Sequence, residues 1–158
     1  MKLKRRIQGK TDYKARIILL KGGKARVVFR RTNRYIIGQY IKSKEAKDHV
    51  IVGITSKELL KYGWPESSKG SLKSLAASYL CWFLLGKKVI DKNEKEGIAD
   101  IGLFRGIAKS RIFSFFKGVI DAGVKVKVKE KMFPDEKRIK NNIDRFEQIK
   151  QNIEKKFI

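Results

Sequence analysis

The apolar positions of this chain change their period along its length. Between Ala25 and Thr55 they come as β-branched and aromatic runs, "ARVVFRR", "RYIIGQYIK" and "HVIVGIT", separated by the polar "TN" and "SKEAKD". Strand-forming runs bounded by turn residues predict an antiparallel meander. Asn33 tolerates the left-handed backbone of a tight turn, so Arg30, Arg31 and Arg34 flank a hairpin tip, where guanidinium groups escape the cost of burial.

On either side of the meander the spacing is helical. Thr11 as N-cap, Asp12 in the first turn, apolar Tyr13, Ile17 and Leu20, and Gly22 as a stop predict a short helix; a strand entering a Gly-Gly hairpin leaves the start signal unexplained. "TSKELLKYGWPES" reads as a helical turn stopped by Gly63 and Pro65. A long helix follows from about Leu72 to Val89, apolar on most sides, as expected of a helix lying on a sheet. "GIADIGLF" at 97–104 fits a strand added in parallel through a crossover. A second helix runs from about Ser110 to Ala122, with Ile112, Phe113, Phe116, Val119 and Ile120 as its buried stripe.

"VKVKVKEK" at 124–131 is either an edge strand with a basic outer face or an extended tail on a polyanion. Pro134 suits a first helical position, and Ile139, Ile143, Phe146, Ile149, Ile153 and Phe157 then step by three or four. This last helix is nearly balanced in charge, with acids that include Asp144, so its stripe docks onto its own domain or onto a protein partner. The expected fold is α/β: a mixed sheet with an antiparallel meander plus a crossover strand, helices packed on it, a basic N-terminal arm and a C-terminal amphipathic helix. The boundaries fall at 1–24 for arm and short helix, 25–133 for the α/β domain and 134–158 for the terminal helix.

Composition adds a partner class. Lys and Arg number 39 against 16 acids, and a formal charge of +23 repels itself unless a polyanion neutralises it. Nucleic acid is the leading candidate. Residues 1–34 hold thirteen of the bases, Lys2 among them, and one acid, Asp12, or about half the excess. Aromatics lie among bases, with Tyr13 beside Lys14 and Arg16, Tyr35 beside Arg34, and Tyr62 and Trp64 near Lys61; each ring alone is more often core than stacking platform, and only its association with charge suits RNA with unstacked bases.

Other chemistry is poorly supplied. One cysteine, Cys81, rules out an internal disulfide and fits an intracellular setting, and with a single histidine, His49, leaves no zinc-ligand set. Cys81, in an apolar helix, reads as an inert small hydrophobe. The longest apolar run, "LAASYLCWFLLG", is too short to span a bilayer, and no apolar segment follows the N-terminal bases to make a signal peptide. "KGGK" lacks the glycine spacing of a phosphate-binding loop. A metal-dependent nuclease using Asp100 and Asp121 is the remaining enzyme reading, and the two acids are a weak signal for it. No cofactor and no small-molecule substrate is expected.

The ordered blocks "RRIQGKTDYKAR", "RRTNRYIIGQ", "SKELLKYGW", "DIGL" and "FKGVIDAG" resemble the 5S-rRNA-binding ribosomal protein family of the large subunit, universal protein eighteen, in its archaeal and eukaryotic branch. The resemblance covers roughly residues 4–140. It implies a cytoplasmic, ribosome-bound structural protein that binds 5S rRNA, helps attach it to 23S rRNA in the central protuberance, and neighbours other large-subunit proteins. The RNA-contacting motifs fall on Arg5, Arg6, Gly9, Lys10, Thr11, Tyr13 and Arg16, on Arg30, Thr32, Asn33, Arg34 and Tyr35 of the hairpin with Arg31 beside them, and on Tyr62, Gly63, Trp64 and Arg111. Two departures stand out: Cys81 and Trp82 replace a small Thr-Gly pair, and Ile107 and Lys109 replace the usual loop residues before Arg111. The alternatives are a sequence-indifferent RNA or DNA chaperone and an adaptor acting through the terminal helix.

Overall fold

The computed structural model describes residues 4–45, 47–140 and 145–157. Lys2, Ile143 and Asp144, named above, lie outside them. Two helices open the chain, α1 (Lys4–Ile7) and α2 (Tyr13–Lys21). Strands β1 (Arg26–Arg31), β2 (Ile36–Lys44) and β3 (Lys47–Thr55) form the meander, followed by a 3-10 turn at Ser56–Tyr62. Helix α3 (Leu75–Asp91) leads to β4 (Glu96–Asp100), and α4 (Arg111–Asp121) to β5 (Lys125–Val126). Helices α5 (Glu136–Lys140) and α6 (Phe146–Lys155) complete the order.

The sheet runs β3-β2-β1-β4-β5, antiparallel within the meander and parallel from β1 to β4 and from β4 to β5. The mixed sheet with a crossover strand is therefore present. Inward positions of the meander, Val27, Phe29, Ile36, Tyr40, Val52 and Ile54, are buried beneath α3 and α4. In β3 the register slips between Tyr40 and Ile41, so that Ile51 is unpaired and bulges. Beyond the bulge Val50 and Ile51 stand exposed on an edge strand, where a bulge discourages further pairing.

Two close approaches set how the helices sit. Gly118 of α4 lies against the Tyr79 carbonyl of α3, leaving no room for a Cβ. In β2, Gly38 gives up its side-chain volume to the Trp82 indole, which is fully buried. The large residue at 82 is thus accommodated by the absence of one across the sheet. Neighbouring Cys81 is also fully buried, and burial pushes its thiol well above the ordinary range, which keeps it inert.

The structure corrects several expected boundaries. Ser74, not a residue near 72, caps α3, its hydroxyl accepting the Ala77 N–H at 3.2 Å. "VKVKVKEK" supplies only a two-residue edge strand before leaving the sheet. Beyond Pro134 the structure describes the helices α5 and α6, with Ile139, Phe146, Ile149 and Ile153 buried against the chain's own core, and residues 141–144 lie outside the described residues. Phe146 meets Tyr79 of α3 with ring centroids 5.5 Å apart.

Gly38→Ala is expected to lower stability in urea unfolding by about 1–3 kcal/mol through overpacking. In a Trp82→Ala background, where the indole is gone, the same change is expected to cost markedly less.

Candidate nucleic-acid interface

The tip of the β1–β2 hairpin is built by Thr32. Its N–H and hydroxyl both donate to the Tyr35 carbonyl, at 2.8 and 2.9 Å, and its oxygen accepts the Tyr35 N–H at 2.9 Å. Arg31 pairs with Ile36 at the last rung, so the four residues between form a closed tip. Lys73 braces it, its Nζ donating to the Asn33 carbonyl at 3.0 Å. Thr32, Asn33 and Arg34 are exposed, and Tyr35 is half-buried. Arg31 lies over the Phe104 ring, 5.7 Å from its centroid.

Arg30 points to the other side of the hairpin. One Nη donates to its neighbour's carbonyl, Phe29, at 2.7 Å, and the other stands 3.5 Å from Asp100. Asp100 is the anchor of a charge network on the face opposite α3. Arg26, only 2% exposed, reaches Asp100 at 2.8 Å and Asp48 at 2.7 Å. Arg16 of α2 completes the chain by donating to Asp48 at 2.9 Å. Partial burial pushes the Asp48 carboxyl up, but hydrogen bonds from Ser43, Arg16 and Arg26 outweigh it and hold it at about 2.

That ion pair ties the N-terminal segment to the sheet. Asp12, not Thr11, caps α2, its Oδ1 accepting the N–H groups of Lys14 and Ala15 at 3.0 and 3.1 Å. A carboxylate accepts both donors and sits favourably at the helix's positive end. Thr11 instead accepts from Arg5 Nε at 2.9 Å, which folds the arm back through Gly9, at φ +61°. Between this segment and β1 and β4 lies a cavity of roughly 1050 Å³, lined by Arg5, Gly9, Lys10, Thr11, Tyr13 and Arg16 together with Arg30 and Asp100. Arg6 is exposed outside it.

The remaining expected residues lie elsewhere. Tyr62 and Trp64 belong to the core, and their rings are not available as stacking platforms. Trp64 Nε1 donates to the Ser68 carbonyl at 3.0 Å, and Asn152 of α6 donates to the Tyr62 carbonyl at 3.0 Å. Gly63, at φ +99°, ends the 3-10 turn between them. Arg111 is exposed at the start of α4, away from the arm.

Arg26, one of the thirteen bases counted in residues 1–34, has a structural role that the count did not reveal. An arginine inside an apolar strand, with an acid ending a later strand, was the available signal. Asp100 and Asp121 serve separate networks, Asp121 accepting from the Tyr79 hydroxyl at 2.7 Å. Among the described residues no group of three or more His, Cys, Asp or Glu is placed to hold a metal ion, and no helix is long and apolar enough to cross a membrane.

Residues 1–100 match the family model for ribosomal large subunit proteins 60S L5 and 50S L18. The chain belongs to this family. It is 46% identical to the large ribosomal subunit protein uL18 of Korarchaeum cryptofilum over 140 residues, covering 89% of this chain and 70% of that protein. Against the uL18 proteins of Aeropyrum pernix and Methanoculleus marisnigri the identities are 36% and 41%, each over 87% of this chain and over 63% and 76% of those proteins. Membership of the uL18 family makes it a structural protein of the large ribosomal subunit, cytoplasmic and ribosome-bound, with ribosomal RNA and other ribosomal proteins as its surroundings, and not an enzyme.

Because the folded-state pKa of Asp48 lies below its ordinary value of 3.8, its contribution is fully present above that pH and is lost as pH falls toward about 2. Asp48→Asn is expected to cost about 1–2 kcal/mol near neutrality, after allowing for solvent screening. The difference from the parent chain should vanish near the acid end, as read by urea unfolding over a pH series.

Proposed function

We propose that this uL18 protein binds 5S rRNA and helps attach it to 23S rRNA in the central protuberance. The observation that carries the reading is the hairpin tip, held closed by Thr32 and Tyr35, whose Arg31 and Arg34 have no carboxylate partner among the described residues. A rigid tip presents guanidinium groups at fixed spacing, which selects a folded RNA rather than any polyanion. The basic arm supports it: Arg5, Arg6, Lys10 and Arg16 neutralise adjoining phosphates while Gly9 allows the backbone a close approach. Tyr13 and Tyr35, half-buried, offer ring edges to unstacked bases. Tyr62, Gly63 and Trp64 act by shaping the surface beneath, and Arg111 adds a contact of its own.

In this scheme residues 1–24 and 25–133 supply the RNA-binding surface, and 134–158 stabilise it from behind. A sequence-indifferent chaperone shares the charge but draws no advantage from a braced tip. Competition among 5S rRNA, transfer RNA and duplex DNA separates the two readings, and equal affinity for all three refutes ours.

Arg34→Ala is expected to weaken 5S rRNA binding about tenfold while leaving duplex binding within a factor of about two, measured by filter binding. With six to ten phosphate contacts, affinity for 5S rRNA should fall about 10³- to 10⁵-fold between 50 and 200 mM salt. A shallow salt dependence in the same assay would contradict a phosphate-dominated interface.

A further inference from the structure

The carboxyl ends of the parallel strands β1 and β4 open onto a second cavity, of roughly 620 Å³. Its walls include Arg31, Phe104, Arg105, Ile107, Lys109 and Arg111, and among the described residues no Asp or Glu lines it. In α/β sheets this crevice is where ligands sit, because the helices that follow the strands begin there. Here Ser74 and Ser110, the residues that start α3 and α4, both line it. Ser74 spends its hydroxyl on its own helix, whereas the buried Ser110 Oγ has no hydrogen-bond partner among the described residues.

The walls are of two kinds. One is cationic. Lys109 is held in place by its N–H bond to the Met132 carbonyl at 2.8 Å, and among the described residues its ammonium pairs with the exposed Asp135, at 3.2 Å. An exposed pair of that sort is weak enough for a phosphate to displace. The other wall is apolar. Phe104 is fixed edge-on against Phe29 at 5.6 Å, and Ile107 is 64% exposed beside it. A bare phosphate needs no apolar shelf, and a hydrocarbon needs no arginines. A nucleotide out of its stack needs both.

The cavity reaches the base of the hairpin tip, since Arg31, the last paired residue of β1 before it, lines the wall. We infer that it takes one unpaired nucleotide of an RNA strand whose backbone runs on to the tip. The phosphate lies among Arg105, Lys109 and Arg111, and the base rests on Phe104 and Ile107. This rests on the RNA-binding reading above but does not require that the RNA be 5S rRNA.

The test uses the full chain carrying Arg105→Ala and Lys109→Ala, against a control with the same charge removed at exposed Lys129 and Lys131. Unchanged melting temperatures establish that both variants fold. Relative to the control, the cavity variant is expected to lose about tenfold in affinity for an unstructured oligouridylate and for a 5S rRNA transcript, and nothing further for a fully paired duplex. A 4-thiouridine oligomer should crosslink to residues 104–111 of the parent chain. No excess loss over the control, an equal excess on duplex, a crosslink elsewhere, or uridine monophosphate binding as tightly as the oligomer each overturn the inference. If the parent chain shows no preference for 5S rRNA, the preceding proposal fails alone, and the oligouridylate arm still decides this one.

Discussion

The geometry of this protein turns on a guanidinium group held between two carboxylates. Arg26 sits in a central strand, out of water, bonded to Asp100 at the end of β4 and to Asp48 in β3. Removing the buried Asp100 strips Arg26 of its buried partner at a cost of about 3–5 kcal/mol, more than the loss of the partly exposed Asp48, whereas the intact network is close to neutral against an apolar replacement. Its value is therefore one of register. It connects strands on both sides of β1, and through Asp48 it fixes Arg16 and so the helix that carries the basic arm. Helix α2 buries no residue of its own, so its position depends on this contact more than on packing.

The same scarcity of acids explains where positive charge is left over. Sixteen carboxylates serve 39 bases, and many are committed to partners within the fold or on its surface. Glu58 holds Lys88, Glu94 bonds Tyr40 and Lys42, and Glu136 holds Lys117. None of these stands at the hairpin tip or in the wall of the β1–β4 crevice. The self-repulsion of a chain so charged is relieved by intramolecular pairs where elements of the fold meet, and left unrelieved where a polyanion is to be met.

How much of this was legible in the sequence varied with the physics of each signal. The meander, the crossover strand and the two central helices were readable because their periods are set by burial on one face, and burial is local in sequence. The cap of α2 was misplaced by one residue, since Thr and Asp are both good caps and only the hydrogen bond decides. Tyr62 and Trp64 were harder: aromatic residues beside lysine suit either a stacking surface or a core, and the choice belongs to α6, some 90 residues later. Arg26 was lost in the count of bases, since a pairing with Asp100 across 74 residues leaves no local trace.

The docking of α6 against Tyr62 has a consequence for biogenesis. Ile149 and Ile153 complete a core whose other walls are made much earlier in synthesis. A nascent chain therefore keeps part of its apolar interior open until residue 153 has cleared the exit tunnel.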